Sequence, residues 1–176
     1  MKVFINGGHA PGIDPGVVGT QTTEAELCCT FMHEVSDSLL AAGCEVRFMQ
    51  DDDLGKIVQS AADFAADVFV AIHCNGFSNP EAKGTETFCY SLSAAGGTLA
   101  NCIQTQILNA LHTVDRGVKE NKTFFVLRKT TCPAVLVETA FLSNEADQEL
   151  LVDAGPEFSK AIARGITDYA LLTGSN

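Results

Sequence analysis

The sequence predicts an α/β fold, a mainly parallel but mixed twisted sheet of about six strands with helices on both faces. Three observations predict it. Short apolar runs alternate with longer segments of helical spacing from end to end. One of those runs, Val68-Phe69-Val70-Ala71-Ile72, is apolar throughout, as a strand covered on both faces requires. A Gly/Pro-rich loop, Gly7 to Gly19, directly follows the first run, where α/β folds place their ligand loops.

Taken in order, Lys2–Asn6 reads as the first strand. Thr22–Ala42 follows with apolar residues at Leu27, Phe31, Val35, Leu39 and Leu40, one face of a helix. Thr23-Glu24-Ala25-Glu26 fits a capping box at its start, and Gly43 fits its stop. Cys44–Met49 is a second strand, Leu54–Ala66 a short helix, and Asp67–His73 a buried strand. Gly84–Ser91 alternates Thr85, Thr87 and Cys89 against Glu86, Phe88 and Tyr90, the pattern of a strand nearer an edge. Ala94–His112 is helical in its Leu99, Ile103, Ile107 and Leu111 spacing. A turn is expected at Arg116-Gly117, then strands at Phe124–Leu127 and Ala134–Thr139. Ser143-Asn144 caps a short helix, and Pro156 to Leu172 forms the last one. No repeat, low-complexity tract or linker interrupts the series, so residues 1–176 are expected to form one domain.

The 176 residues carry a formal charge of −11, which excludes the clustered basic footprint of a nucleic-acid binder. No stretch approaches the roughly 20 apolar residues of a membrane span, so no membrane insertion is expected. The seven cysteines are odd in number and lack any CxxC pair; they read as reduced, buried small hydrophobes rather than disulfide partners or zinc thiolates. The chain opens directly on a strand without secretory features. That fits an excised domain, or a lysin that reaches its target by another route.

Chemistry is expected where strands end. His9 follows the first strand, His73 ends the third, and Glu138 ends Ala134-Val135-Leu136-Val137. Glu24 begins the helix that leaves the loop holding His9. Two imidazoles and a carboxylate are a ligand set for catalytic zinc, and a second carboxylate nearby is what a metallohydrolase needs to move a proton. Each residue also has a plain structural role: a turn for His9, a helix-dipole partner for Glu24, a hydrogen-bonded core site for His73. Glu138 is hardest to explain in that way, because glutamate has low strand propensity and follows a deeply apolar run.

Asn6-Gly7-Gly8-His9 with Asp14-Pro15-Gly16-Val17-Val18-Gly19, Thr23-Glu24-Ala25-Glu26-Leu27 and Ala66-Asp67-Val68-Phe69-Val70-Ala71-Ile72-His73-Cys74-Asn75 form an ordered series. Gly84-Thr85-Glu86-Thr87-Phe88-Cys89-Tyr90, Arg116-Gly117-Val118-Lys119 and Val126-Leu127-Arg128 continue it. Pro133-Ala134-Val135-Leu136-Val137-Glu138-Thr139-Ala140-Phe141-Leu142-Ser143-Asn144 ends it with the most specific block. The series resembles the catalytic domain of type-3 N-acetylmuramoyl-L-alanine amidases over nearly the whole chain. That resemblance implies a Zn²⁺ held by His9, Glu24 and His73, with Glu138 as the catalytic carboxylate. It implies cleavage of the amide between N-acetylmuramic acid and L-alanine in peptidoglycan, with action at the cell wall, extracellular or periplasmic. The expected partners are the glycan strand and stem peptide, met by a monomer. Departures at Asn6, Cys74 and Ala140 remove no implied ligand.

Asn75 is a further candidate for substrate binding, and Arg116 and Arg128 are candidates for meeting stem-peptide carboxylates. His33 and Glu34 read as helix-surface residues, since they lack the second histidine of HExxH, and His112 near a helix C-terminus reads as a dipole partner rather than a ligand. Two other functions stay open on the residues alone: a catalytically weak peptidoglycan-binding module, and another zinc hydrolase, a peptidase or deacetylase, on a wall-related substrate.

Overall fold

The computed structural model describes residues 1–174. Six strands form one mixed sheet: β1 (Lys2–Gly7), β2 (Glu45–Met49), β3 (Val68–Asn75), β4 (Thr85–Cys89), β5 (Asp115–Glu120) and β6 (Ala134–Phe141). Among the described residues four helices lie between strands, α1 (Glu24–Ala41), α2 (Leu54–Asp63), α3 (Ala95–Ala110) and α4 (Phe125–Lys129), and α5 (Glu145–Asp153) and α6 (Gly155–Thr173) follow β6. The strand order is β2-β1-β3-β6-β4-β5. All pairings are parallel except β4 with β6, which is antiparallel.

Alternation along each strand divides the core in two. Val3, Ile5, Val70, Ile72, Val135 and Val137 face α1, α3 and α6, where they pack with Phe31, Leu39, Ile103, Phe158 and Ile162. Phe4, Phe69, Ala71 and Leu136 face the other way and pack with Ile57 and Ala61 of α2 and Val126 and Leu127 of α4. Burying both faces explains the unbroken apolar run of β3. α1 begins as its sequence requires: the Thr23 hydroxyl accepts from the Glu26 amide while the Glu26 carboxylate accepts from the Thr23 amide. All seven cysteines are free, and the three most buried are Cys28, Cys74 and Cys89. No helix among the described residues is long and apolar enough to cross a membrane.

Two local expectations are corrected. Phe124–Leu127 is not a strand; Phe125–Lys129 is a short helix. The Asn121 carboxamide oxygen accepts the Thr123 and Phe124 amides ahead of it, and Val126 and Leu127 drop into the α2-side core. A run of four apolar residues carries too little periodicity to separate these outcomes. Arg116-Gly117 is not a turn either: it lies inside the edge strand β5. Pairing slips from Thr85–Asp115 to Thr87–Val118, so three steps on β5 match two on β4. The extra residue is a β-bulge at Gly117, whose φ of 81° suits glycine. β4, expected near an edge, is next to it.

Candidate metal centre and its neighbours

The loop after β1, the N-terminus of α1 and the end of β3 bring His9, Glu24 and His73 together, with one donor atom from each within 4.8 Å of the others. His9 Nε2 lies 3.1 Å from Glu24 Oε2, and His73 Nδ1 lies 3.0 Å from Glu24 Oε1. Glu24 is buried. Each of its oxygens is also fixed by a backbone amide, Cys74 N–H on Oε1 at 3.1 Å and Val17 N–H on Oε2 at 3.0 Å. His9 Nδ1 donates to Asp14 Oδ2 at 2.6 Å. That bond fixes the ring and leaves Nε2 as the inward donor, the outer support typical of a ligating histidine. His9 itself holds a φ of 58°, a strained position for a side-chain-bearing residue.

Glycines make room for this convergence. A Cβ on Gly8 would sit 2.4 Å from the His73 ring, and one on Gly16 2.5 Å from Glu24 Oε2. Gln50 bridges the loop to α1 by donating to the Gly8 and Ala25 carbonyls at 2.9 and 2.8 Å.

The charges are coupled. Burial works against the Glu24 anion, but hydrogen bonds from His73 and His9 outweigh it and hold the carboxyl at about 2. The Glu24 hydrogen bond raises His9 to about 9, against burial and with help from Asp14. Two imidazoles and a carboxylate converging on one point are a good donor set for a divalent cation such as zinc.

Glu138 stands beside this group. It pairs directly with His73 across β6 and β3, and its Oε2 is buried without a hydrogen-bond partner. Burial pushes its carboxyl up to about 7; His73 opposes this, while Glu24 and Glu86 add to it. An open cleft of about 240 Å³ reaches the four residues His9, His73, Glu138 and Asn6, with Leu54, Ile57, Phe124 and Phe125 as its apolar wall.

The other candidates separate. Asn75 Nδ2 donates to Glu86 Oε1 at 2.6 Å, and Arg116 Nε lies 3.4 Å from Glu86 Oε2, so both border the Glu138 side of the site. Arg128 is exposed beside Pro133 and Tyr90, at the opposite end of β6 from Glu138, and is not brought to the site. His33 is exposed and packs edge-on against Phe48, and His112 is exposed after α3. Sequence reasoning missed Asp14, Glu86 and Lys119. The signal for Glu86 was present: it is another glutamate in a β-branched strand, as anomalous as Glu138.

Two imidazoles and a carboxylate that could hold a metal ion, with a second carboxylate beside them, match the donor set of a metallohydrolase. More narrowly, the chain belongs to the N-acetylmuramoyl-L-alanine amidase family, whose sequence model matches residues 3–168. It is 42% identical over 137 residues to an uncharacterized cell wall amidase of Bacillus anthracis, covering 71% of this chain and 25% of that one. It is 33% identical over 175 residues to N-acetylmuramoyl-L-alanine amidase LytC of Bacillus subtilis, covering 95% of this chain and 35% of that one. The chain thus spans a quarter to a third of the length of these two relatives. The solved N-acetylmuramoyl-L-alanine amidase AmiC2 of Nostoc punctiforme superposes with a TM-score of 0.91 at 29% identity, covering 97% of both chains.

Proposed function

We propose that this chain is a single, monomeric zinc-dependent catalytic domain. It hydrolyses the amide between N-acetylmuramic acid and L-alanine of peptidoglycan, at the cell wall. The observation that carries this is the unpartnered Glu138 Oε2 next to the His9–Glu24–His73 group. A buried carboxylate oxygen without a donor is costly, and an acid–base role beside the His9–Glu24–His73 group accounts for it.

His9 Nε2, His73 and Glu24 would hold the ion. When bound, zinc supplies Lewis acidity toward a carbonyl and lowers the pKa of a water to about 7. The chain's own work is positional and protonic. Asp14 fixes the His9 ring, and Val17 and Cys74 amides fix the Glu24 carboxylate. Glu138 takes the proton of the attacking water, then returns it to the amide nitrogen as the C–N bond breaks, giving a carboxylic acid and a free L-alanine amine. A carboxyl group near 7 suits both tasks at neutral pH. The test is zinc quantification together with mass spectrometry of products from purified peptidoglycan, with Glu138→Ala as control. Intact stem peptides with a new L-alanine amine are expected. Release of acetate, or a cut within the stem, would mean a deacetylase or a peptidase instead.

A further inference from the structure

Beyond the metal ligands, the row of side chains His73, Glu138, Glu86 and Lys119 crosses the sheet on one face, one from each of β3, β6, β4 and β5. The registers are His73–Glu138, Glu86–Glu138 and Phe88–Lys119, and Lys119 reaches back over Phe88 to Glu86. Glu86 is only 5% exposed and takes two cations, pairing with Lys119 Nζ and lying 3.4 Å from Arg116 Nε at its Oε2. Asn75 occupies its other oxygen. Within this trio one carboxylate faces two cations, in a chain whose formal charge is −11. Both cations keep solvent access, with side-chain exposures of 33% for Arg116 and 41% for Lys119.

The bulge in β5 creates this pairing. Arg116 and Lys119 are three residues apart, an odd separation that would send them to opposite faces of a regular strand. The extra residue at Gly117 shifts the alternation by one, so both side chains meet Glu86. Arg116 is further held by its guanidinium over the Phe141 ring, 4.7 Å from the centroid, and its Nε has no hydrogen-bond partner. Bulges are used to re-aim side chains beside active sites.

We infer that Arg116 and Lys119, held by Glu86, form a carboxylate-binding subsite for the second residue of the leaving peptide. This rests on the amidase reading above. Neighbouring strands are about 4.8 Å apart, so the paired cations above Glu86 lie about one strand spacing beyond Glu138. An extended peptide advances roughly 3.5 Å per residue. With the scissile nitrogen at Glu138, the α-carboxylate of the residue after L-alanine falls over the cation pair. The acyl side of the substrate then lies toward the apolar cleft of Leu54, Ile57, Phe124 and Phe125. The subsite discriminates a free carboxylate from its carboxamide, because only the anion makes charge-assisted hydrogen bonds to the partly exposed Arg116 and Lys119.

The test compares N-acetylmuramoyl-L-alanyl-D-glutamate with N-acetylmuramoyl-L-alanyl-D-isoglutamine, identical but for that carboxylate. The zinc-loaded protein should show about tenfold higher kcat/KM on the acid, mainly through KM, the effect of one charge-assisted hydrogen bond. Lys119→Gln combined with Arg116→Gln should bring the ratio close to one, and Lys119→Arg should keep it. Equal rates on both compounds with the unmodified protein, or a preference that survives the double substitution, would overturn the subsite and leave the amidase reading intact. Cleavage of neither compound sinks the amidase reading instead. In that event, calorimetric binding of the dipeptide L-alanyl-D-glutamate against its amide still decides the subsite, with tighter binding of the acid expected and equal binding overturning it.

Discussion

His73 and Glu138 are direct cross-strand partners in the C-terminal halves of the parallel strands β3 and β6. A candidate metal ligand and an unpartnered carboxylate therefore share one face of the sheet about 5 Å apart. Because they sit on separate strands, one can be altered without the other. Glu138→Gln keeps the shape of the side chain and should reduce peptidoglycan hydrolysis by about 10²- to 10⁴-fold. Its zinc content should match that of the unmodified chain. Near-normal lysis by this variant would falsify the role of Glu138 as proton carrier.

Gly8→Ala should empty the metal site while the fold survives. The added methyl would lie 2.4 Å from the His73 ring, so the imidazole must move off the point it shares with His9 and Glu24. A loss of zinc by metal analysis is expected, with far-UV circular dichroism unchanged. Full zinc retention would mean that the loop yields instead of the histidine.

Zinc affinity should rise with pH. In the metal-free protein His9 is raised to about 9, so near neutrality a proton must leave Nε2 before it can bind an ion. Apparent affinity should climb about tenfold per pH unit below 9 and level off above it. Calorimetry in buffers of different ionisation enthalpy should find about one proton released per zinc at pH 7.5. A pH-independent affinity between pH 7 and 8.5 would contradict this.

The same shifts fix how the metal-free fold responds to pH. His9 is raised from 6.5 to about 9, so its contribution is full below 6.5 and lost as pH rises through 9. Glu24 is lowered from 4.5 to about 2, so its contribution is present above 4.5 and lost as pH falls through 2. Glu138, raised from 4.5 to about 7, adds a further loss as pH rises through 7. Chelator-treated protein should have its highest Tm near pH 5 and lose stability steadily toward pH 9, and zinc should flatten the alkaline side. A chelated protein that is most stable at pH 8 to 9 would show that this cluster does not govern the profile.

Asp147 ties the strand ends together. Its Oδ2 accepts the buried Gly84 amide at 2.7 Å and the Phe141 amide at 2.8 Å. Asp147→Ala leaves two buried donors unpaired and should cost about 3 kcal/mol in urea unfolding. A change under about 1 kcal/mol would indicate that the loop re-pairs them.

What was legible in the sequence follows from what periodicity reports. The unbroken apolar run of β3 and the capping box of α1 depend on local order and burial, and both appear as read. His73 and Glu138 were read as strand ends, but β3 runs on to Asn75 and β6 to Phe141. Phe124–Leu127 failed because four apolar residues fit a strand and a helix turn equally, and Asn121 together with the α2-side core decides between them. Gly117 failed because a glycine with positive φ serves a turn or a bulge alike, and only the pairing with β4 tells which.

By itself, the sequence determined the α/β class, the faces of its elements and the four candidate polar residues His9, Glu24, His73 and Glu138. Tertiary structure decided which of those residues are neighbours. The crossover that lays β4 antiparallel against β6 puts Glu86 opposite Glu138, although 52 positions separate them in the chain. The bulge in β5 then aims Arg116 and Lys119 at Glu86, while Arg128 ends at the far end of β6. Periodicity reports which face a side chain takes on its own strand. Which strand lies next to it depends on pairing between distant segments, and no local pattern carries that information.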